Sequence, residues 1–338
     1  MSTMCLKIQT SHFLIVLFFA LLNLGLYMFP NYTNTSKTAP MTTLDRHSNT
    51  QCKTTASLQL DRHSNTTNRS CLYLSTSFTG RIGNQMFIYA TMVGLARAQN
   101  RMPFINTGGD LLTIFPITNI RTDINTTGWS VIGESGYATF DSKFMNLPQR
   151  NLTLAGYLQS WRYFLHAQDE IRREFTFVPS IQKEADAVLA SCRSQLQNHV
   201  IVGVHVRRGD FVLDHKQKFG YGVANASYFV KAFAKIRSLL PNQNITFLVA
   251  SDNLTWCKDN IKDTSVTFLP ERDRGIHFAI LSSCDHVILT SGTFGWWIAW
   301  LANGISIYFE GYIKKDSPLE AGFTSRDYYP LGWIGLGN

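Results

Sequence analysis

Residues 200–206 read "VIVGVHV", a nearly unbroken run of β-branched residues, and Arg207, Arg208, Gly209 and Asp210 follow at once. Such a run predicts a strand buried on both faces, as in a parallel sheet. Downstream, "SYFVKAFAKIRSLLP" places Phe229, Ala232, Phe233, Ile236 and Leu240 at helical spacing. It predicts a helix capped by Ser227 and stopped before Pro241. "ITFLVASD" predicts a strand ending at Asp252, and "SVTFLP", "HVILTS" and "SIYFEG" predict three more, the last closing the sheet. Helices over "FAILSSC" and "GTFGWWIAWLANG" separate them. Strands alternating with helices predict a doubly wound parallel α/β sheet.

The first half is less regular. "CLYLSTSFTG" (71–80) predicts a short strand and a turn. "GRIGNQMFIYATMVGLARAQN" (80–100) predicts a loop and then a helix from about Gln85 to Gln99. Asn84 takes the N-cap position and Asn100 closes the far end. Residues 101–155 alternate short apolar runs with turns, and 156–175 predict a helix after Ser160.

The N-terminus sets the compartment. Residues 13–29, "FLIVLFFALLNLGLYMF", carry no charge. That length is near the short limit for a spanning helix, and no clean cleavage site follows it. The expectation is a cytosolic tail (1–12), an uncleaved signal anchor (13–29) and a lumenal remainder. Residues 30–70 are rich in Thr, Asn and Ser and repeat "LDRHSNT" at 44–50 and 60–66. Two copies are too few for a solenoid, and this composition cannot bury a core. The segment reads as a stem. N-x-S/T triplets at Asn31, Asn34, Asn65, Asn68, Asn125, Asn151, Asn225, Asn244 and Asn253 agree with a lumenal body.

Six cysteines leave five beyond the anchor, an odd number in an oxidising compartment. No C-x-x-C occurs, which argues against zinc. The net charge is +8, but the basic residues are scattered without a run of five. Charge therefore gives no nucleic-acid signal.

Arg207 and Arg208 stand where ligands of open α/β sheets bind, beyond the carboxyl end of a strand. The guanidinium fork matches phosphate oxygens, and Gly209 lets backbone approach. Ser291, Gly292 and Thr293, between a strand and a helix, supply a second anion element at a helix N-terminus. Together they suit both phosphates of a nucleotide sugar without metal, and no D-x-D triplet occurs in the body. Trp296, Trp297 and Trp300 fit core packing on an apolar helix. Trp161, beside Gln159 and Ser160, suits an acceptor cleft.

"GRIGNQM" (80–86), "GYLQSW" (156–161), "VGVHVRRGDF" (202–211), "SGTFGWW" (291–297) and "DSPL" (316–319) resemble, in order and spacing, the galactoside α-1,2-fucosyltransferases of glycosyltransferase family 11. The resemblance covers about residues 71–335. It implies a GT-B-like fold of two facing Rossmann-like lobes, 71–198 on the acceptor side and 199–338 binding GDP-fucose. It also implies a Golgi membrane enzyme that transfers L-fucose, with inversion and without metal or cofactor, to the 2-hydroxyl of a terminal β-galactose on glycans. By that match Arg207 holds the β-phosphate, and Arg208 is structural or a supporting contact. His205 lies against the nucleotide, and Ser291, Gly292, Thr293 and Phe294 line the phosphates. Asn84, with Arg81 and Gly83, reaches toward fucose and acceptor. Asp210 is the nearest candidate base, or else orients Arg207; Asp214 and His215 are alternatives. Cys257 and Cys284 are disulfide-bonded or merely buried. Two other readings stay open: a catalytically silent GDP- or glycan-binding homologue, and a fucosyltransferase with a different acceptor.

Family members carry an acidic residue where this chain has His277, on the nucleoside side. A carboxylate accepts two donors at once; an imidazole does not. Asp252 or Asp273 is expected to take over that contact. His277→Asp is therefore expected to retain or tighten GDP-fucose binding by calorimetry; a large loss would give His277 a role of its own.

Overall fold

The computed structural model describes residues 71–195 and 198–338. The expected anchor and stem, Cys5, Cys52, Asn31, Asn34, Asn65 and Asn68 lie outside the described residues. Among the described residues no helix is long and apolar enough to cross a membrane.

The body is built on two parallel sheets. The first comprises β1 (Tyr73–Thr76), β2 (Met102–Phe104), β3 (Ser130–Gly133) and β4 (Leu152–Ala155), in the order β2-β1-β4-β3. The second comprises β5 (His199–Val206), β6 (Asn244–Ser251), β7 (Val266–Phe268), β8 (His286–Leu289), β9 (Ser306–Phe309) and β10 (Ile334–Leu336), in the order β10-β9-β8-β5-β6-β7. Strand β5 lies inside the second sheet, paired with β6 and β8, and is buried from Ile201 to Val206. That accounts for its continuous apolar run. The last strand is β10, not the "SIYFEG" strand. Its three residues, one of them Gly335, offer too short a pattern to predict.

The helices are α1 (Ile82–Ala98), α2 (Gln168–Glu174), α3 (Pro179–Gln195), α4 (Asp214–Phe219), α5 (Ala226–Leu239), α6 (Leu254–Asn260), α7 (Arg274–Ser282), α8 (Thr293–Ala302) and α9 (Ser325–Tyr328). Helix α1 follows β1 and is buried on nearly every side. It ends as expected at Asn100, whose φ of 51° turns the chain while the Arg101 N–H donates to the Ala96 carbonyl at 2.8 Å.

Three local expectations are corrected. Helix α1 starts at Ile82 with Arg81 as N-cap, so Asn84 lies inside the first turn. The Asn84 side chain is engaged across the molecule rather than at the helix end, as described below. Helix α5 is capped by Asn225, whose Oδ1 accepts from the Ser227 N–H at 2.9 Å, and not by Ser227. Residues 161–167 form two 3-10 turns before α2. The Ser160 hydroxyl donates to the Asp327 carbonyl and the Trp161 indole to the Arg326 carbonyl, which holds this stretch out of a continuous helix.

One aromatic cluster joins the two halves. Phe87 of α1 lies 4.4 Å from Trp296 and 5.0 Å from Trp297 of α8, ring centre to ring centre, and Phe164 stacks on Trp297. Both buried indole N–H groups are satisfied, Trp296 by the Tyr328 carbonyl at 2.8 Å and Trp297 by the Gly83 carbonyl at 3.0 Å. Trp296, Trp297 and Trp300 are thus core residues. Cys257 and Cys284 are buried free thiols and Cys192 is also free, whereas Cys71 is disulfide-bonded.

Candidate active site

A doubly wound sheet has one point where successive connections leave in opposite directions. In the second sheet it lies between β5, which leads to β6 and β7, and β8, which leads to β9 and β10. Such a point opens a crevice at the carboxyl ends of the strands. Arg207 follows β5 and Thr290 follows β8, and the Arg207 N–H donates to Thr290 Oγ1 at 2.9 Å. The two candidate anion elements are therefore neighbours.

The Arg207 guanidinium is held by two carboxylates. One terminal nitrogen donates to Asp252 Oδ2 and the other to Asp210 Oδ1, and the group lies over the Phe211 ring. Arginine has five N–H donors, so three remain for a ligand. Asp252 accepts two more bonds: its Oδ1 takes the Arg208 N–H at 2.8 Å and the Gly209 N–H at 3.1 Å. It shapes the turn after β5 and fixes Arg207. Asp210 keeps Oδ2 free of any protein partner among the described residues. Arg208 points elsewhere, stacked 3.6 Å over the Trp256 ring with one nitrogen on the Ala224 carbonyl. It is a packing residue, because its guanidinium face is covered.

Helix α8 begins at this crevice. Gly292 is its N-cap, at φ 84°, and no side chain caps the end. The first-turn N–H groups and helix dipole thus face the crevice uncompensated, an arrangement that favours an anion. Ser291 is 1% exposed, and its buried Oγ has no partner. The Phe294 ring packs tilted against His205, with centres 5.2 Å apart. His205 is itself 9% exposed, lies beneath α8, and leaves Nδ1 without a hydrogen bond. A Cβ added at Gly295 would come within 2.7 Å of that nitrogen.

The first half reaches this site through α1. Asn84 Oδ1 accepts from Thr293 Oγ1 at 2.8 Å and from Gln159 Nε2 at 3.1 Å. Gly83 lies so close to α8 that a Cβ there would fall 2.7 Å from the Phe294 nitrogen and the Thr293 carbonyl carbon. The structure thus brings three separate sequence motifs into one seam. Arg81 is exposed, with its carbonyl accepting from Asn84 and Gln85 N–H. Trp161 does not line an open cleft: it is buried and bound to the Arg326 carbonyl, because the C-terminal strap covers it. That strap supplies a residue the sequence did not single out. Asp327, 4% exposed, pairs with Arg162 at 2.7 Å and accepts from the Phe140 N–H. The two residues are 165 positions apart, so no local pattern pointed to them.

The remaining candidates are peripheral. Asp214 pairs with Lys218 on the exposed face of α4, and His215 is exposed beside it. Asp273 caps α7 by accepting from the Gly275 N–H at 2.7 Å through one of its two oxygens. His277, one turn on, has Nε2 2.9 Å from the Pro270 carbonyl. Of the sequons described, Asn125, Asn225 and Asn244 are exposed, and Asn151 and Asn253 are partly buried. Asn151, Asn225 and Asn253 use Oδ1 as an acceptor, which leaves Nδ2 unused in those bonds.

With this geometry in place, the chain was compared with known proteins. The family model described as "Glycosyl transferase family 11" matches residues 43–337. Galactoside alpha-(1,2)-fucosyltransferase 2 of Mus musculus is 34% identical over 269 residues, 76% of each chain. Galactoside alpha-(1,2)-fucosyltransferase 1 of Homo sapiens is 33% identical over 271 residues, 76% of this chain and 73% of that one. Among solved structures, NodZ alpha-1,6-fucosyltransferase soaked with GDP-fucose superposes with a TM-score of 0.50 at 16% identity, covering 71% of this chain and 96% of NodZ. That likeness is one of fold, in agreement with the two-sheet GT-B-like architecture.

Burial lowers the pKa of His205 from 6.5 to about 4, and Arg207 and His277 push it the same way against Asp252. A depressed folded-state pKa contributes stability that is present above the unfolded value and lost as pH falls through the folded one. Between pH 6.5 and 4, wild type is expected to lose about 3 kcal/mol of unfolding free energy more than His205→Gln, by denaturant titration at each pH. Parallel profiles would remove His205 as the acid-sensitive group.

Proposed function

The chain belongs to glycosyl transferase family 11, and on that premise we propose that it transfers L-fucose from GDP-fucose to the 2-hydroxyl of a terminal β-galactose on glycans, with inversion. The acceptor class and the linkage follow the relatives' names, and the donor is the one with which NodZ was soaked. The observation that carries the reading is Arg207, fixed between Asp252 and Asp210 at the strand switch point, with the open N-terminus of α8 beside it.

Departure of GDP puts negative charge on the β-phosphate. Arg207 offers three N–H donors to that charge in a fork that its two carboxylates already hold in place. Preorganised donors cost no reorganisation as the charge develops, and so stabilise the transition state more than the bound donor. The first turn of α8, with the free hydroxyl of Ser291, accepts the rest of the diphosphate. Asp210 is the carboxylate with an oxygen left over, and its Oδ2 takes the proton of the acceptor 2-hydroxyl. The electron pair left on the acceptor's 2-oxygen forms the new bond to fucose C1 as the C1–O bond to GDP breaks, and the bonding pair leaves on the phosphate. Asn84 holds Thr293 and Gln159 around the sugar. The same reading makes metal unnecessary, since Arg207 and α8 supply the positive charge.

We extend the proposal to location: residues 13–29 anchor the chain in a Golgi membrane and the body faces the lumen. Exposed sequons at Asn125, Asn225 and Asn244 support it.

The test is direct. Full-length protein with GDP-fucose and a set of β-galactosides, in excess chelator, is expected to yield α-1,2-linked fucose by mass and linkage analysis. Arg207→Ala is expected to cut kcat about 100- to 1,000-fold while circular dichroism stays native. Transfer to another position, or activity that survives this change, would overturn the assignment.

A further inference from the structure

In the first sheet β1 pairs with β2 on one side and with β4 on the other. Beyond the carboxyl ends of β1 and β2, with Thr153 of β4 in its wall, is a cavity of about 400 Å³, within the usual range for small-molecule sites. No mechanism step described above uses it.

Its lining defines its ligand. Ser75, Thr107, Thr126 and Thr153 present hydroxyls with no protein hydrogen bond among the described residues, and the Phe78 ring forms part of the wall. Asn106 lines the cavity, and its Oδ1 is buried with no partner while its Nδ2 donates to the Ile124 carbonyl. A buried acceptor left unpaired is costly, and a ligand hydroxyl would satisfy it. The lining holds no cation, and its one carboxylate, Asp110, is paired with Arg274 of the other half at 3.0 Å. Anions find no charge there, and an apolar ligand would strand the hydroxyls. The fitting ligand is an uncharged polyol.

The cavity adjoins the seam. Asn84 bonds Thr293, and the next residue, Gln85, lines the cavity and accepts from the Asp110 N–H at 2.9 Å. We propose that the cavity is a saccharide subsite that receives the sugar next to the accepted galactose. The inference rests on the fucosyl-transfer reading, in which galactose itself occupies the space between Arg207 and Asn84.

Thr107 is exposed at the rim, so Thr107→Trp fills the mouth without entering the core. With the full-length chain, this variant is expected to raise KM for lactose at least tenfold. KM for methyl β-galactoside and for GDP-fucose stays within twofold, and the thermal midpoint is unchanged. Calorimetry of lactose binding in the presence of GDP should show the same loss, independently of turnover. An unchanged lactose KM, or an equal rise for both acceptors, would overturn the subsite. If wild type transfers fucose to neither acceptor, the fucosyl-transfer reading falls, while lactose binding to the two proteins still decides what the cavity holds.

Discussion

The site depends on the close approach of the first turn of α1 to the first turn of α8. That approach is possible because Gly83 has no side chain: any Cβ would overlap the backbone of Thr293 and Phe294. Overpacking of this kind costs about 1–3 kcal/mol in a well-packed site. The approach lets the Trp297 indole reach the Gly83 carbonyl and lets Thr293 reach Asn84. It also brings Phe87 onto Trp296, so the aromatic core and the polar seam share one geometry. Moving one helix would disturb the anion-binding end of α8, the side chain that bridges it, and the core beneath it.

Around that seam the two parallel sheets have the same logic. The second opens a crevice where its strand order reverses, the first opens a cavity beyond β1 and β2, and α1 borders both. The crevice of the second sheet is charged and rigid. Arg207 is set by two carboxylates and a stacked ring, and His205 is kept neutral at ordinary pH by burial. The crevice of the first sheet is uncharged in effect and lined by hydroxyls. A nucleotide sugar and a neutral glycan differ in the same way. The ion pairs of Asp110 with Arg274 and of Arg162 with the buried Asp327 also join the halves.

The sequence carried much of this. The β-branched run of β5 announced a strand buried on both faces, and the arginines at its end marked the anion site. The second sheet's strands and helices were legible because each pattern is local. What was not legible depends on distance. Asn84 and Thr293 are 209 residues apart, so Asn84 looked like a cap for a helix that in fact starts earlier. Trp161 looked like a sugar platform because the C-terminal strap that buries it is 165 positions away. Asp252 had the right chemistry for a nucleoside edge, but its hold on Arg207 and the Gly209 turn, 45 and 43 positions away, left no local pattern. The first sheet's cavity is assembled from residues between 75 and 153, none of which forms a motif on its own.

The most direct test of the seam is a double-mutant cycle on kcat/KM with Asn84→Ala and Thr293→Ala. Residues sharing one hydrogen bond couple by about 0.5–3 kcal/mol. A working seam predicts that each single change lowers kcat/KM and that the double variant is little worse than the poorer single one. Strictly additive losses would contradict it, because the two halves would then build the site independently.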